Sequence, residues 1–162
     1  IANQIKDEIL SDYGTAEIAL RYAMALVNAT DKMSNADDIL KIANQIKDEI
    51  LSDYGTAEIA EQYASVLVNA TYKMSNADDI LKIANQIKAE ILSDYGTAEI
   101  TETYAMTLVN ATYKMSNADD ILKIANQIKD EILSDYGTAE IAKQYATALD
   151  NATAKMSDDD KK

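Results

Sequence analysis

The chemistry open to this chain rests on carboxylates, tyrosines and asparagines, because its 162 residues include no His and no Cys. The commonest general base, the thiolate nucleophile and the usual zinc ligands are therefore missing. Three adjacent acidic pairs remain: Asp37-Asp38, Asp78-Asp79 and Asp119-Asp120. Neighbouring helical residues diverge by about 100°, so the carboxylates of one pair cannot converge on a single ion. Each pair follows Ser-Asn-Ala, which reads as a helix start, with the acids at the positive end of the helix dipole. Ser52-Asp53-Tyr54-Gly55 and Asp94-Tyr95-Gly96 lack the alternating oxygen ligands and closing Glu of a calcium loop. No Gly-rich run leads into Lys and Ser/Thr, so no phosphate cradle is implied. These residues predict no catalytic residue, no metal site and no cofactor, and hence no enzyme.

Asn28, Asn69, Asn110 and Asn151 each open an Asn-Ala-Thr triplet, the pattern of a glycosylation acceptor. The pattern falls inside a helical period, which makes an accidental match the better reading. Tyr22, Tyr63, Tyr104 and Tyr145 recur at one position. Such a column could line a peptide groove, but is expected to be core with its hydroxyls at the edge.

The formal charge is −13, from 28 acidic against 15 basic residues. That surplus disfavours phosphate backbones and anionic lipid, so neither nucleic acid nor membrane is an expected partner. No apolar run approaches the ~20 residues of a membrane span. There is no leader or targeting signal, and Ile1 in place of Met points to a removed upstream segment. A soluble monomer is expected.

The elements that position these residues repeat. IANQIK begins at Ile1, Ile42, Ile83 and Ile124, a period of 41. Residues 42–59 recur as 83–100 with one change, Asp48 to Ala89. Each unit reads as two helices. In the first, Ile39, Leu40, Ile42, Ala43, Ile46, Ile50, Leu51 and Tyr54 form a broad apolar arc, with Lys41, Gln45, Asp48, Glu49 and Ser52 opposite. Gly55 supplies a left-handed C′ residue and Thr56 caps the next helix, whose arc is Ala57, Ile59, Ala60, Tyr63, Ala64, Val66, Leu67, Ala70 and Met74. So short a junction forces the helices antiparallel. Asn44, Asn85 and Asn126 at the arc margin fit either a hydrogen bond between helices or solvent exposure. The fold predicted is all-α: an open, solenoid-like array of four antiparallel hairpins, eight helices, in one domain over 1–162 (units 1–41, 42–82, 83–123 and 124–162).

The ends differ from the interior. The first helix lacks its SNADDILK lead-in, while Asp150, Ala154 and Ser157-Asp158-Asp159-Asp160-Lys161-Lys162 make the last unit polar. The second helix also varies along one stripe: Leu20, Glu61, Glu102, Lys143; Met24, Ser65, Met106, Thr147; and Asp31, Tyr72, Tyr113, Ala154, all beside Val27, Val68, Val109 or Asp150. The stripe is expected to face away from the main arc. The Met–Ser–Met–Thr alternation fits two kinds of interface and a flat or corrugated stack. Leu20, Met24, Val27, Tyr72, Met106 and Tyr113 are the candidate interaction residues, for a peptide or for weak self-association.

The exact period, the repeated SNADDILK caps, the YGT junctions and the altered end units resemble a computationally designed α-helical hairpin repeat protein over the whole chain. The alternation is similar to designs with a corrugated arrangement. The resemblance implies a structural scaffold with no natural activity, catalytic residue, cofactor or partner. The alternative left by the residues themselves is a peptide- or protein-binding module.

Overall fold

Helix boundaries follow local capping chemistry. In the computed structural model, residues 1–156 are described. The terminal run expected to close the array, 157–162, lies outside them. Among the described residues the chain forms eight helices and no strand: α1 (2–13), α2 (Ala16–Thr30), α3 (36–54), α4 (Ala57–Thr71), α5 (77–95), α6 (Ala98–Thr112), α7 (118–136) and α8 (Ala139–Lys155). Asn35, Asn76 and Asn117 take the cap position: their Oδ1 atoms accept from the N–H of Asp37, Asp78 and Asp119 at 2.7–2.8 Å. Thr15, Thr56, Thr97 and Thr138 cap the even helices, each accepting from the N–H three residues on at 3.2–3.3 Å. The acidic pairs therefore sit at helix starts, and Asp38, Asp79 and Asp120 each pair with a Lys three residues along at 2.7–2.8 Å.

The glycine junctions differ from expectation. Gly55 has φ 5° and Gly14 φ −45°, and among the four only Gly96, at φ +24°, enters the left-handed region. The helix instead closes with a bond from the Gly55 N–H to the Leu51 carbonyl at 3.0 Å. At Gly14 and Gly55 glycine serves close approach. A Cβ on Gly14 would stand 2.5 Å from the Tyr54 hydroxyl of the next hairpin, and one on Gly55 would stand 3.2 Å from that of Tyr95.

Every odd helix also contains a π-helical stretch: Ile5–Leu10, Lys47–Leu51, Ile87–Leu92 and Ile128–Leu133. Ile42, Ile46, Ile50 and Tyr54 lie four apart, and in a regular α-helix such a row drifts by about 40° per step. A wider turn reverses part of that drift and keeps the row on the core side. Ser52 answers the altered carbonyl geometry, donating its hydroxyl to the Asp48 carbonyl at 2.6 Å.

Among the described residues the array is open, with the main helix contacts made between neighbouring elements. Odd and even helices pair within hairpins α1–α2, α3–α4, α5–α6 and α7–α8. The even helices pack closely on one another along the whole length, and the odd helices make no comparable approach. Alanine explains the asymmetry: Ala60, Ala64 and Ala70 are buried on α4, and small side chains let backbones come near. The core runs through all four hairpins, with Ile39, Ile46, Ile50, Ile59, Tyr63, Leu67, Ile87 and Ile91 almost fully enclosed. Leu40, Ile42, Leu51 and Tyr54 are half-buried at its edge. Asn44, Asn85 and Asn126 are exposed.

Candidate interaction surface

The expected stripe turns out to be a seam. Glu61 Oε1 accepts from the Thr97 hydroxyl at 2.9 Å, and Glu102 Oε1 from Thr138 at 3.0 Å. This row of each even helix therefore faces the next hairpin, not away from the packed arc. Val68 and Val109 in the same row are buried, whereas Asp150, in the last described hairpin, is exposed. A helical wheel of one unit assigns that row to solvent, because it cannot see the next copy.

The six candidate residues do not form one patch. Leu20 and Val27 are half-buried and Met24 is exposed, all along α2 where it faces the second hairpin. Tyr72 and Met106 meet at the following seam, the phenol donating to the thioether sulfur at 3.1 Å. Tyr113 is exposed one hairpin further on. Asp31 occupies the position of Tyr72 and Tyr113, and Val27 is half-buried where Val68 is buried.

Two grooves lie where the ends of successive even helices meet. One of about 200 Å³ is lined by Thr30, Asp31, Asn69, Tyr72 and Lys73. Its repeat, about 190 Å³, is lined by Thr71, Tyr72, Asn110, Tyr113 and Lys114. Their floors are polar and satisfied. Asn69, Asn110 and Asn151 donate to the hydroxyls of Thr30, Thr71 and Thr112 at 2.7–3.0 Å, and those hydroxyls donate to backbone carbonyls at 2.7 Å. Asn69, Asn110 and Asn151, three of the four Asn-Ala-Thr asparagines, are thus ties between hairpins. Strict recurrence at the repeat period was the signal that could have marked them as structural.

A second recurring cluster escaped the sequence reading. Gln45 and Glu49 lie on the face assigned to solvent, yet both engage the preceding hairpin. Gln45 Nε2 donates to the Tyr22 hydroxyl at 2.7 Å, the Tyr22 hydroxyl donates to Glu49 at 3.3 Å, and Lys6 pairs with Glu49 at 2.8 Å. This four-residue clasp joins α1, α2 and α3. It recurs as Lys47, Tyr63, Gln86 and Glu90, and again as Lys88, Tyr104, Gln127 and Glu131. The tyrosine column is core with its hydroxyls at the edge, as its spacing suggests, but the hydroxyls serve to lock adjacent units. Burial, then the adjacent glutamate charge, pushes the phenol pKa values up, that of Tyr104 to about 12. The Lys6 bond is the main cause of the lowered Glu49 pKa, and Lys88 acts likewise on Glu131. For Glu90, burial opposes ionisation most strongly, but the bonds from Lys47, Tyr63 and Gln86 together outweigh it and the pKa falls.

All three interfaces therefore carry the same clasp and the same Asn–Thr tie. The remaining bonds differ from seam to seam: among the described residues the Glu–Thr bond joins the second hairpin to the third and the third to the fourth, and the Tyr72–Met106 bond joins the second to the third alone. Among the described residues every buried side-chain N or O atom has a partner, and no three carboxylates gather as a metal site would require. No family model, curated protein or solved structure matches the chain.

Proposed function

We propose that the chain is an engineered helical-repeat scaffold whose function is structural: to hold a fixed, extendable spacing between hairpins. The observation that carries this reading is the recurrence of the same clasp and the same Asn–Thr tie at all three interfaces. Contacts that recur in this way need no partner or ligand to complete them, and the buried polar groups among the described residues are satisfied internally. The matching ring of residues at each seam makes the unit modular. Duplicating residues 83–123 in place should give a five-hairpin chain that melts higher and scatters X-rays as a longer particle of unchanged cross-section. A chain that loses helical content on insertion of this extra copy would refute modularity.

The paired grooves favour a second reading, a peptide-binding module. Tyr72 and Tyr113 offer rigid aromatic walls, with Lys73 and Lys114 beside them, along a row that an extended acidic peptide could follow. Titration of acidic peptides against tyrosine fluorescence distinguishes the two. Saturable binding that is lost in Tyr72→Ala/Tyr113→Ala supports the module, and unchanged fluorescence at millimolar peptide supports the scaffold.

A further inference from the structure

Each end of the array carries half of the contact that joins its hairpins. At the first hairpin the residues matching Ile50 and Tyr54 are Ile9 and Tyr13. Ile50 is fully buried, whereas Ile9 is 43% and Tyr13 69% exposed. Nearer the start of α1 an open groove of about 560 Å³ is lined by Ile1, Ala2, Asn3, Ala25, Asn28 and Ala29. This face is not capped by polar substitutions. Isolated apolar side chains at a surface need no explanation, but Ile9 and Tyr13 leave open two positions that are covered in the second hairpin.

The polar members match as well. Gln4 and Glu8 occupy the places of Gln45 and Glu49 in the clasp, and both are exposed. At the other end Tyr145 and Lys129 occupy the places of Tyr104 and Lys88. Among the described residues neither has a hydrogen-bonding or ionic side-chain partner, although their counterparts are engaged at every internal seam. Thr153 stands where Thr112 receives its asparagine, and Asn28 stands where Asn151 donates. Gly137 meets only its own Leu133 carbonyl within reach of a Cβ, while Gly14, Gly55 and Gly96 each lie beneath a tyrosine hydroxyl of the next hairpin. The changed residues are also compatible in charge. Asp150 replaces the valine of the seam on one end, and Arg21 replaces Gln62 on the other. The internal register sets the Asp150 position opposite the segment holding Arg21 and Ala25.

We propose that the chain joins second copies of itself head to tail, the Lys129/Tyr145 end of one copy closing a fourth clasp with Gln4 and Glu8 of the next. The seated surfaces then continue the interface already present three times inside the chain, with Tyr13 over Gly137 and Asn28 on Thr153. A contact between two different faces does not close on itself, so assembly proceeds past two copies to a linear series. The charge of −13 opposes it over long range, which confines the effect to salt near 0.15 M or above, where charges beyond ~8 Å are screened.

The test is molar mass in solution by sedimentation equilibrium, from micromolar to millimolar chain. The expected result is a mass that climbs with concentration through trimers and beyond. Glu8→Lys and Lys129→Glu, both on exposed residues, should each weaken association about tenfold or more by setting like charges together, without altering circular dichroism. The double variant Glu8→Lys/Lys129→Glu should restore it, a readout that mere surface damage would not give. A single-chain mass throughout, a mass that stops at two copies, or association indifferent to both reversals would overturn the proposal.

Discussion

Replacing Tyr63 by Phe while keeping the ring in place isolates the work of one clasp. The ring is fully buried and would stay so, leaving the hydrophobic contribution unchanged. The loss is confined to the bond that Gln86 donates to the hydroxyl at 2.8 Å and the one that the hydroxyl donates to Glu90 at 3.0 Å. A hydrogen bond to a charged group contributes roughly 1.5–3 kcal/mol. Glu90 keeps Lys47 at 3.0 Å and its side chain is 37% exposed, so water replaces the phenol and the cost falls at the low end, about 1.5 kcal/mol. For a chain of this length that is a drop of roughly 3–6 °C in melting midpoint. Tyr145→Phe is the internal control. Its hydroxyl has no partner among the described residues, so in dilute solution the expected shift is within about 0.5 kcal/mol. Thermal melts followed by far-ultraviolet circular dichroism on both variants, at micromolar concentration, decide the matter. Equal losses at the two positions, or no loss at Tyr63, would show that the clasp geometry contributes nothing to holding hairpins together.

Ile87→Asp and Leu67→Asp each place a carboxylate in a fully enclosed site without a cation nearby, and should cost more than about 4 kcal/mol by chemical denaturation. Gly14→Ala should destabilise by about 1 kcal/mol, because its new methyl must displace the Tyr54 phenol, whereas Gly137→Ala should cost less in dilute solution. A melting comparison of the two alanine variants tests whether close approach, and not backbone dihedral, sets the need for glycine. The lowered pKa values of Glu49, Glu90 and Glu131 carry a definite sign. The folded state holds these protons less tightly than the unfolded chain, so the stabilisation is present above the ordinary value of 4.5 and is lost as pH falls through the folded values. Denaturation midpoints measured downward from pH 6 should therefore decline below about pH 4.5, and Glu49→Gln/Glu90→Gln/Glu131→Gln should flatten that decline.

Capping and core were legible because both are local or periodic. Asn35 and Thr56 cap through bonds to backbone two or three residues away, and the arc from Ile39 to Ile50 is visible on one wheel. What escaped depends on neighbours that no single unit displays. Val68 looked outward because its cover belongs to the next hairpin. Gln45 and Glu49 have the composition of a solvated face, and only the approach of Tyr22 and Lys6 turns them into a lock. Gly55 depends on a neighbour in the same way: its φ of 5° falls short of the left-handed region, and a close approach comes from Tyr95 in the next hairpin. The π turns were hidden in spacing of four, which reads as plain helix unless its cumulative drift is followed over three steps. The candidate stripe was found by variation between copies, which correctly marks where copies differ but not which way they point.

The clasps are shared unequally along the chain. The inner hairpins are gripped on both sides, the outermost on one side only. Opening the first or last hairpin breaks a single lock, while opening one in the middle breaks two and exposes two seams. Local unfolding should then spread inward from the termini like fraying rope, and slow amide exchange should be concentrated in α4 and α6, with α1 and α8 exchanging first.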